Sequence, residues 1–253
     1  TRSRIVTGVQ TCALPIWNYP SDACSVQAAI GAVNAVAFDI SAACAGFIFA
    51  MNIVEGFFKA GIYKTALIIG AETLSKVTDW NDRGTCVLFG DGAGAAVLKA
   101  EETGIIDMMM GADGTKGDVL ACTSRTVGNF LTGTKPELGF MTMDGQEVFK
   151  FAVRKVPESV MELLQRTGTK KEDIKYYVLH QANERIIEAA ARRLNEPMEK
   201  FPMTIGQFGN TSTASIPLLL DDMIQKDMLK RGDKIIMSGF GAGMTWGAVL
   251  MEW

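Results

Sequence analysis

The sequence predicts a layered α/β fold built from two copies of one β-α-β-β unit. Three observations carry that expectation. Apolar strand-like runs alternate with helical runs from residue 25 onward. Two stretches echo each other: Cys44 opens a helix that leads to Gly61, a buried strand and a glycine-rich hairpin, and Asn210 precedes a helix that leads to Gly232, a buried strand and a second such hairpin. The 26 glycines cluster in "GDGAGAAV" and "GFGAGMTWG", as they do at tight strand ends or where backbone approaches a ligand closely.

The first residues stand apart. "TRSRIVTGVQTCALPIW" shows no helical or strand period and no signal-peptide core. Within it "VTGVQTCALPI" resembles the translation of a common sequencing-adapter primer, which points to residues 1–16 as adapter-derived; an ordinary variable N-terminus is the alternative. On that reading residues 1–17 form a non-native segment in which Cys12 carries no meaning. An N-terminal half with its connecting loop follows at 18–140, incomplete at its start, and a C-terminal half at 141–253.

Past this segment, "SVQAAIGAV" reads as a helix end and "AVAFDI" as a buried strand. "CAGFIFAMNIVEGFFKAG" is a helix closed by Gly61. "KTALIIGAE" is continuously apolar, as in a strand buried on both faces. "TCVLFGDGAGAAVLKA" holds two strands about a glycine turn, and "GIIDMMMGADG" adds another. Residues 113–140 are polar, glycine-rich and aperiodic, hence a long loop. A helical segment spans 142–167, kinked or divided at Pro157. "KYYVLH" is a strand ending on His180, "NERIIEAAARRLN" a helix, "ASIPLLLDDMIQKDMLKRG" a helix ending at Gly232, and "DKIIMSGFGAGMTWGAVLMEW" a closing pair of strands.

Composition narrows the classes of function. The 253 residues are 48% hydrophobic and 21% charged, enough apolar mass for a large core. A net charge of −3 gives no whole-chain reason to expect nucleic acid or an anionic membrane as partner. No run of 18 apolar residues suggests a membrane span. The five cysteines, at 12, 24, 44, 86 and 122, form no CxxC pair and no metal spacing, and read as free thiols in a reducing, cytoplasmic compartment.

In α/β folds sites form at strand C-termini and helix N-termini, and Cys44, His180 and Asn210 all lie at such junctions. Each has two readings. Cys44, among Ser41, Ala42, Ala43, Ala45 and Gly46, is either a small packing residue or an accessible nucleophile whose pKa a helix N-terminus lowers. His180 is the chain's one histidine, structural or catalytic. Asn210 in "GQFGNTSTAS" is a turn or N-cap residue, or a donor to a carbonyl oxygen. Gly241, Ala242 and Gly243 make a tight hairpin, or aim a backbone N–H at an oxyanion.

Taken together and in this order, "DISAACAGF", "DRGTCVLFGDGAGAAV", "HQAN", "FGNTSTASIP" and "GFGAGMTWG" resemble β-ketoacyl-acyl carrier protein synthase III of bacterial type II fatty-acid synthesis, over Tyr19 to Trp253. The resemblance implies a thiolase-like αβαβα fold and a homodimer. It implies a catalytic Cys44, His180 and Asn210, with the N–H groups of Cys44 and Ala242 as oxyanion donors. It makes Phe240 a shield beside the thiol and Tyr19 a pocket wall across the dimer. Arg83, Gly84, Gly145, Phe149, Ala182, Asn183 and Arg185 are then expected at coenzyme A. Lys150, Arg154, Arg185, Arg192 and Arg193 are expected to dock an acidic acyl carrier protein. The implied reaction is a decarboxylative Claisen condensation of a short acyl-CoA with malonyl-acyl carrier protein, with acyl-CoA as substrate and no resident cofactor or metal. Elongating ketoacyl synthases use two histidines, and thiolases a second cysteine near the C-terminal glycine loop; this chain has neither. Plant-type polyketide synthases share the triad but usually carry Pro at the position of Ala242, and remain the alternative, with an inactive scaffold or an acyl-CoA-binding module as readings from other classes.

Overall fold

A computed structural model describes residues 5–11, 20–123, 127–137 and 139–253; Cys12 and Tyr19 lie outside them. Two four-stranded sheets dominate. The first has the order β2 (Val36–Ile40), β1 (Ile5–Thr11), β3 (Thr65–Glu72), β4 (Gly92–Lys99), with β1 parallel to both neighbours and β3–β4 an antiparallel hairpin. The second has the order β5 (Ile105–Ala112), β10 (Thr245–Glu252), β9 (Lys234–Gly241), β8 (Ile174–Leu179), with β8–β9 parallel and β9–β10 an antiparallel hairpin. A small ladder joins β6 (Leu120–Cys122) to β7 (Met141–Met143).

Helices complete five layers. α1 (Asp22–Ala29) covers the outer face of the first sheet, against β1 and β2. Between the sheets lie α2 (Gly46–Lys59), which touches β1 and β3 on one side and β5, β9 and β10 on the other, and α6 (Ser215–Gln225), set between β4 and β8. On the far side α3 (Gly145–Thr167) and α4 (Glu184–Leu194) pack together, and α3 lies against β5, β9 and β10. One core fills the middle layer around Phe47, Ile48, Ile68, Ile216 and Leu219. A second sits under α3 and α4 around Val160, Leu163, Tyr177 and Ile187. Burial on both sides of α2 is why its sequence reads apolar all round.

Several local expectations change, and residues 113–140, expected to be a loop throughout, include β6. Residues 5–11, read as structureless, are β1, held between β2 and β3. A ladder bonds backbone rather than side chains, and Ile5, Val6, Thr7, Val9 and Thr11 are strand-compatible residues. Thr85–Leu88 forms turns instead of a strand. The Asp82 carboxylate takes the Gly84 N–H (2.8 Å) and the Thr85 hydroxyl (2.7 Å), curling the chain before β4. α6 stops at Gln225, well before Gly232, where Asp227 turns left-handed at φ 55°. β2, expected to be buried, is a half-exposed edge strand, and β3 alternates buried and half-buried residues rather than burying both faces.

The helix around Pro157 runs unbroken from Gly145 to Thr167. Proline has no N–H for the carbonyl of residue 153. The Arg193 guanidinium from α4 supplies the missing donor, reaching Val153 O at 2.9 Å. Arg193→Ala is therefore expected to cost about 1–2 kcal/mol, the scale of a charge-assisted hydrogen bond. In a Pro157→Ala background, where the restored amide satisfies Val153, the loss shrinks toward zero. A urea-unfolding double-mutant cycle checks this, and additive losses would refute it.

Candidate active site

A short turn, Ala43–Ala45, links β2 to α2 and carries Cys44. Ala43 is left-handed at φ 46°, a conformation costly for an L-residue. Contacts from the other half hold it. The Thr213 hydroxyl donates to Ala43 O (2.7 Å), and the Thr245 hydroxyl donates to Ala42 O (3.2 Å). Strand β9 passes directly beneath. A Cβ on Gly241 would meet Cys44 N at 2.5 Å and one on Gly239 would meet Cys44 O at 3.2 Å, so the apposition at 241 needs glycine.

A matching turn, Ser212–Ala214, leads into α6, with Ser212 left-handed at φ 50°. Asn210 precedes it and is clamped through its backbone: its N–H donates to Leu88 O and its carbonyl accepts from Gly90 N, both at 2.9 Å. A Cβ at Gly90 would run into the Phe208 carbonyl, at the end of the short helix α5 (Ile205–Phe208). The Asn210 Oδ1 accepts the Ser212 N–H at 2.9 Å. That orients the side chain and leaves its amide NH₂ without a hydrogen-bond partner among the described residues.

His180 follows β8 directly. Its backbone N–H is tied to Ser238 O (2.8 Å), its Nδ1 lies 2.7 Å from the Ser215 hydroxyl, and Phe240 packs edge-on at 5.4 Å. Burial pushes the imidazole down to about 3, so it is neutral at any ordinary pH.

These elements converge on a cavity of about 120 Å³, comparable to the roughly 150 Å³ that takes a benzene-sized guest. Cys44, His180, Asn210 and Phe240 line it together with Gly145, Phe149, Ala182 and Asn183. Gly241 lines it as well, whereas the adjacent Ala242 does not. Residues that the sequence did not single out, Leu88, Phe89, Leu120, Met143, Val148 and Ile186, form the apolar wall. Two of the expected coenzyme residues have helix-start roles in this chain: Gly145 begins α3 beneath the Asp144 cap, and the Asn183 Oδ1 caps α4 through the Arg185 N–H (2.9 Å). Arg83 and Gly84 lie in the exposed turn before β4 and Arg185 on the surface of α4, outside the cavity lining. Of the basic residues on α3 and α4, Lys150 pairs with Glu147 (2.8 Å) and Arg192 with Glu188 (3.6 Å), and Arg193 serves Val153. Arg154 is exposed close to Asp113, whose carboxyl is held low mainly by Thr115.

The expectation of a depressed thiol pKa is reversed. Burial pushes the Cys44 thiol from 9.0 up to about 12, with the Glu72 carboxylate pushing the same way. The Ser212 hydroxyl opposes this, but its geometry falls short of a formed hydrogen bond and it has no other partner. Glu72, at the buried end of β3, accepts the Thr213 N–H at 3.3 Å. An acid closing an apolar strand, "ALIIGAE", was the sequence signal for it.

A buried cysteine, a neutral histidine and an oriented asparagine amide share one cavity on a duplicated αβαβα scaffold, the scaffold of a thiolase-fold enzyme. The profile of the 3-oxoacyl-[acyl-carrier-protein (ACP)] synthase III family matches residues 38–114, and that of its C-terminal part residues 164–253. The chain belongs to the β-ketoacyl-[acyl-carrier-protein] synthase III family, acyltransferase-type ketosynthases of fatty-acid initiation. The family member from Clostridium acetobutylicum is 51% identical over 236 residues, covering 92% of this chain and 73% of its own. That from Clostridium novyi is 52% identical over 247 residues, covering 97% and 76%. The crystal structure of 3-oxoacyl-[acyl-carrier-protein] synthase III from Aquifex aeolicus superposes with a TM-score of 0.90 at 43% identity, over 99% of this chain and 77% of that one.

A thiol raised to about 12 has a definite pH signature. The unfolded chain ionises Cys44 near 9 and the folded chain near 12, so unfolding releases a proton in that window and stability falls as pH climbs through it. Correspondingly, iodoacetamide alkylation of Cys44, followed on its own peptide by mass spectrometry, is expected to accelerate about tenfold per pH unit from about pH 7 to 10 without levelling. A plateau below pH 8 would mean that the site stabilises a thiolate.

Proposed function

We propose that the chain condenses a short acyl-CoA with malonyl-acyl carrier protein in two half-reactions. In the first, Cys44 sulfur attacks the acyl-CoA thioester; the sulfur–acyl bond forms, the bond to coenzyme A sulfur breaks, and coenzyme A leaves as the thiol with the Cys44 proton. The N–H groups of Cys44 and Ala242 hold the tetrahedral oxyanion. In the second, malonyl-acyl carrier protein loses CO₂, and the enolate oxygen accepts hydrogen bonds from His180 Nε2–H and the Asn210 amide. Its carbon then attacks acyl-Cys44; the new carbon–carbon bond forms, the sulfur–acyl bond breaks, and the departing sulfur takes a proton from water, giving the β-ketoacyl carrier protein and the free Cys44 thiol. The steps are acyl transfer, loss of CO₂, carbon–carbon bond formation and proton transfer, none of which changes the oxidation level of the protein, so the scheme uses acyl-CoA as substrate and no resident metal or redox cofactor.

The observation that carries this reading is the presence of Cys44, His180 and the Asn210 amide on one apolar-walled cavity, with the imidazole neutral. A neutral imidazole donates a hydrogen bond to an enolate without first surrendering a buried charge. The cavity size supports a primer of a few carbons. Coenzyme A is read along Arg83, Gly84, Gly145, Phe149, Ala182, Asn183 and Arg185. The acidic carrier protein is read on the α3–α4 face, where Arg154 and Arg185 make no salt bridge among the described residues. Among the described residues no helix is long and apolar enough to cross a membrane; a cytoplasmic setting, where acyl-CoA and carrier protein would be met, belongs to the same proposal. Mass spectrometry of Cys44 after exposure to a panel of acyl-CoAs tests the reading. Short acyl groups are expected on Cys44 and nowhere in Cys44→Ser, with malonyl-acyl carrier protein discharging them; a bare Cys44 throughout would sink it.

The same reading includes a homodimer. Among the described residues β4 pairs only with β3, and its outward row of Ala93, Ala95 and Val97 is exposed, Val97 at 72%. An apolar edge strand of this kind is normally covered. Light scattering is expected to show a pair of chains, and Val97→Lys to shift it toward monomer; a monomeric parent chain would contradict the dimer.

A further inference from the structure

The mechanism uses one end of His180, and the structure shows what holds the other. Ser215 Oγ lies 2.7 Å from His180 Nδ1, and each residue is only 2% or less exposed. Ser215 is the first residue of α6, so the turn that follows Asn210 also places this hydroxyl.

A hydroxyl gives or takes a hydrogen bond, and a neutral imidazole has one nitrogen of each kind. Surrounding contacts fix the direction. The Gln181 N–H approaches Ser215 Oγ at 3.4 Å, so the oxygen already accepts. That N–H is itself held in place, because the Gln181 side chain donates to Leu179 O (2.8 Å) and accepts from Thr204 N (2.9 Å). Ser215 makes no other side-chain hydrogen bond among the described residues, so its proton has Nδ1 as its acceptor. Phe240, on the imidazole's flank, offers none.

We propose that Ser215 is the positioning residue that fixes His180 in the Nε2–H tautomer, leaving a donor for the cavity. The proposal deepens the condensation reading and rests on it only for the purpose of that donor; the tautomer is a separate observable. Burial of the ring keeps it neutral, so tautomer and not charge is the variable that remains.

His180 is the chain's single histidine, so ¹⁵N-histidine labelling of the 253-residue protein gives one imidazole to read by long-range ¹⁵N–¹H correlation. The parent chain is expected to carry its ring proton on Nε2 with Nδ1 unprotonated. Ser215→Ala is expected to give a mixture of tautomers and to lower malonyl-dependent condensation roughly a hundredfold, the scale of a misplaced catalytic proton, while Cys44 acylation is retained. Ser215→Thr keeps the hydroxyl and restores the Nε2–H form. A parent chain protonated at Nδ1, or a Ser215→Ala chain that stays wholly Nε2–H, overturns the proposal, and the first of these needs no variant to fold. A chain that shows the expected tautomer and its loss in Ser215→Ala, yet condenses nothing, sustains the positioning role and overturns the condensation reading instead.

Discussion

Strand β9 runs beneath the Cys44 turn with Gly241 against the Cys44 amide and Gly239 against its carbonyl. Two hydroxyls from the other half, Thr213 and Thr245, hold the carbonyls of Ala43 and Ala42. Ala43 and Ser212, the residues that open the two functional turns, are both left-handed without being glycine. A conformation of that kind costs about 1–2 kcal/mol per residue and persists when surrounding contacts over-determine it. Here they come from the opposite half, so neither turn owes its shape to its own segment alone. Cys44, Asn210 and His180 are brought together by the docking of one sheet-and-helix unit on the other.

The electrostatics follow from that docking. Once α2 and α6 are enclosed between two sheets, water is excluded from both turns, and the same burial raises the thiol and lowers the imidazole. A resting thiolate–imidazolium pair would have to meet two desolvation costs at once. The site instead holds neutral groups whose hydrogen-bonding directions are fixed: Asn210 by Ser212 N and His180 by Ser215. Its hydrogen-bond donors meet an oxyanion only when the reaction creates one, which is when preorganised donors act most strongly.

Much of this was legible in the chain. The alternation of elements gave the layers, and the duplicated order placed Cys44 and Asn210 at matching helix starts. What escaped the sequence was set by distant partners. Helix-start logic predicts a low pKa for Cys44, but burial is a property of the assembled halves and it dominates. Pro157 looked like a break because the donor that replaces its amide lies 36 residues on, at Arg193. Residues 5–11 lacked a period because an inner strand's place is fixed by two flanking backbones rather than by one exposed face. Ser215 sat in plain view within "NTSTAS", yet nothing local says that its hydroxyl meets a histidine 35 residues earlier.

The duplication also explains why the two turns differ in chemistry. Counting back from α2 and α6, Ala43 matches Ser212, Cys44 matches Thr213 and Gly46 matches Ser215. Counting along β3 and β9, Gly70 matches Gly239 and Glu72 matches Gly241. The glycine pair does the same work in both halves: Gly70 lies against Thr213 O as Gly239 lies against Cys44 O. The second pair diverges. Glu72 reaches over and takes the Thr213 N–H, closing that turn. Gly241, in the equivalent place, has no side chain with which to take the Cys44 N–H. One turn is thereby capped and serves as scaffold, its hydroxyl bracing Ala43, while the other keeps an amide that no residue at 241 covers, beside its own sulfur. A glutamate and a glycine at matched strand ends thus separate a turn whose amide is capped from one whose amide is not, and a threonine and a cysteine stand at the matched place within those turns.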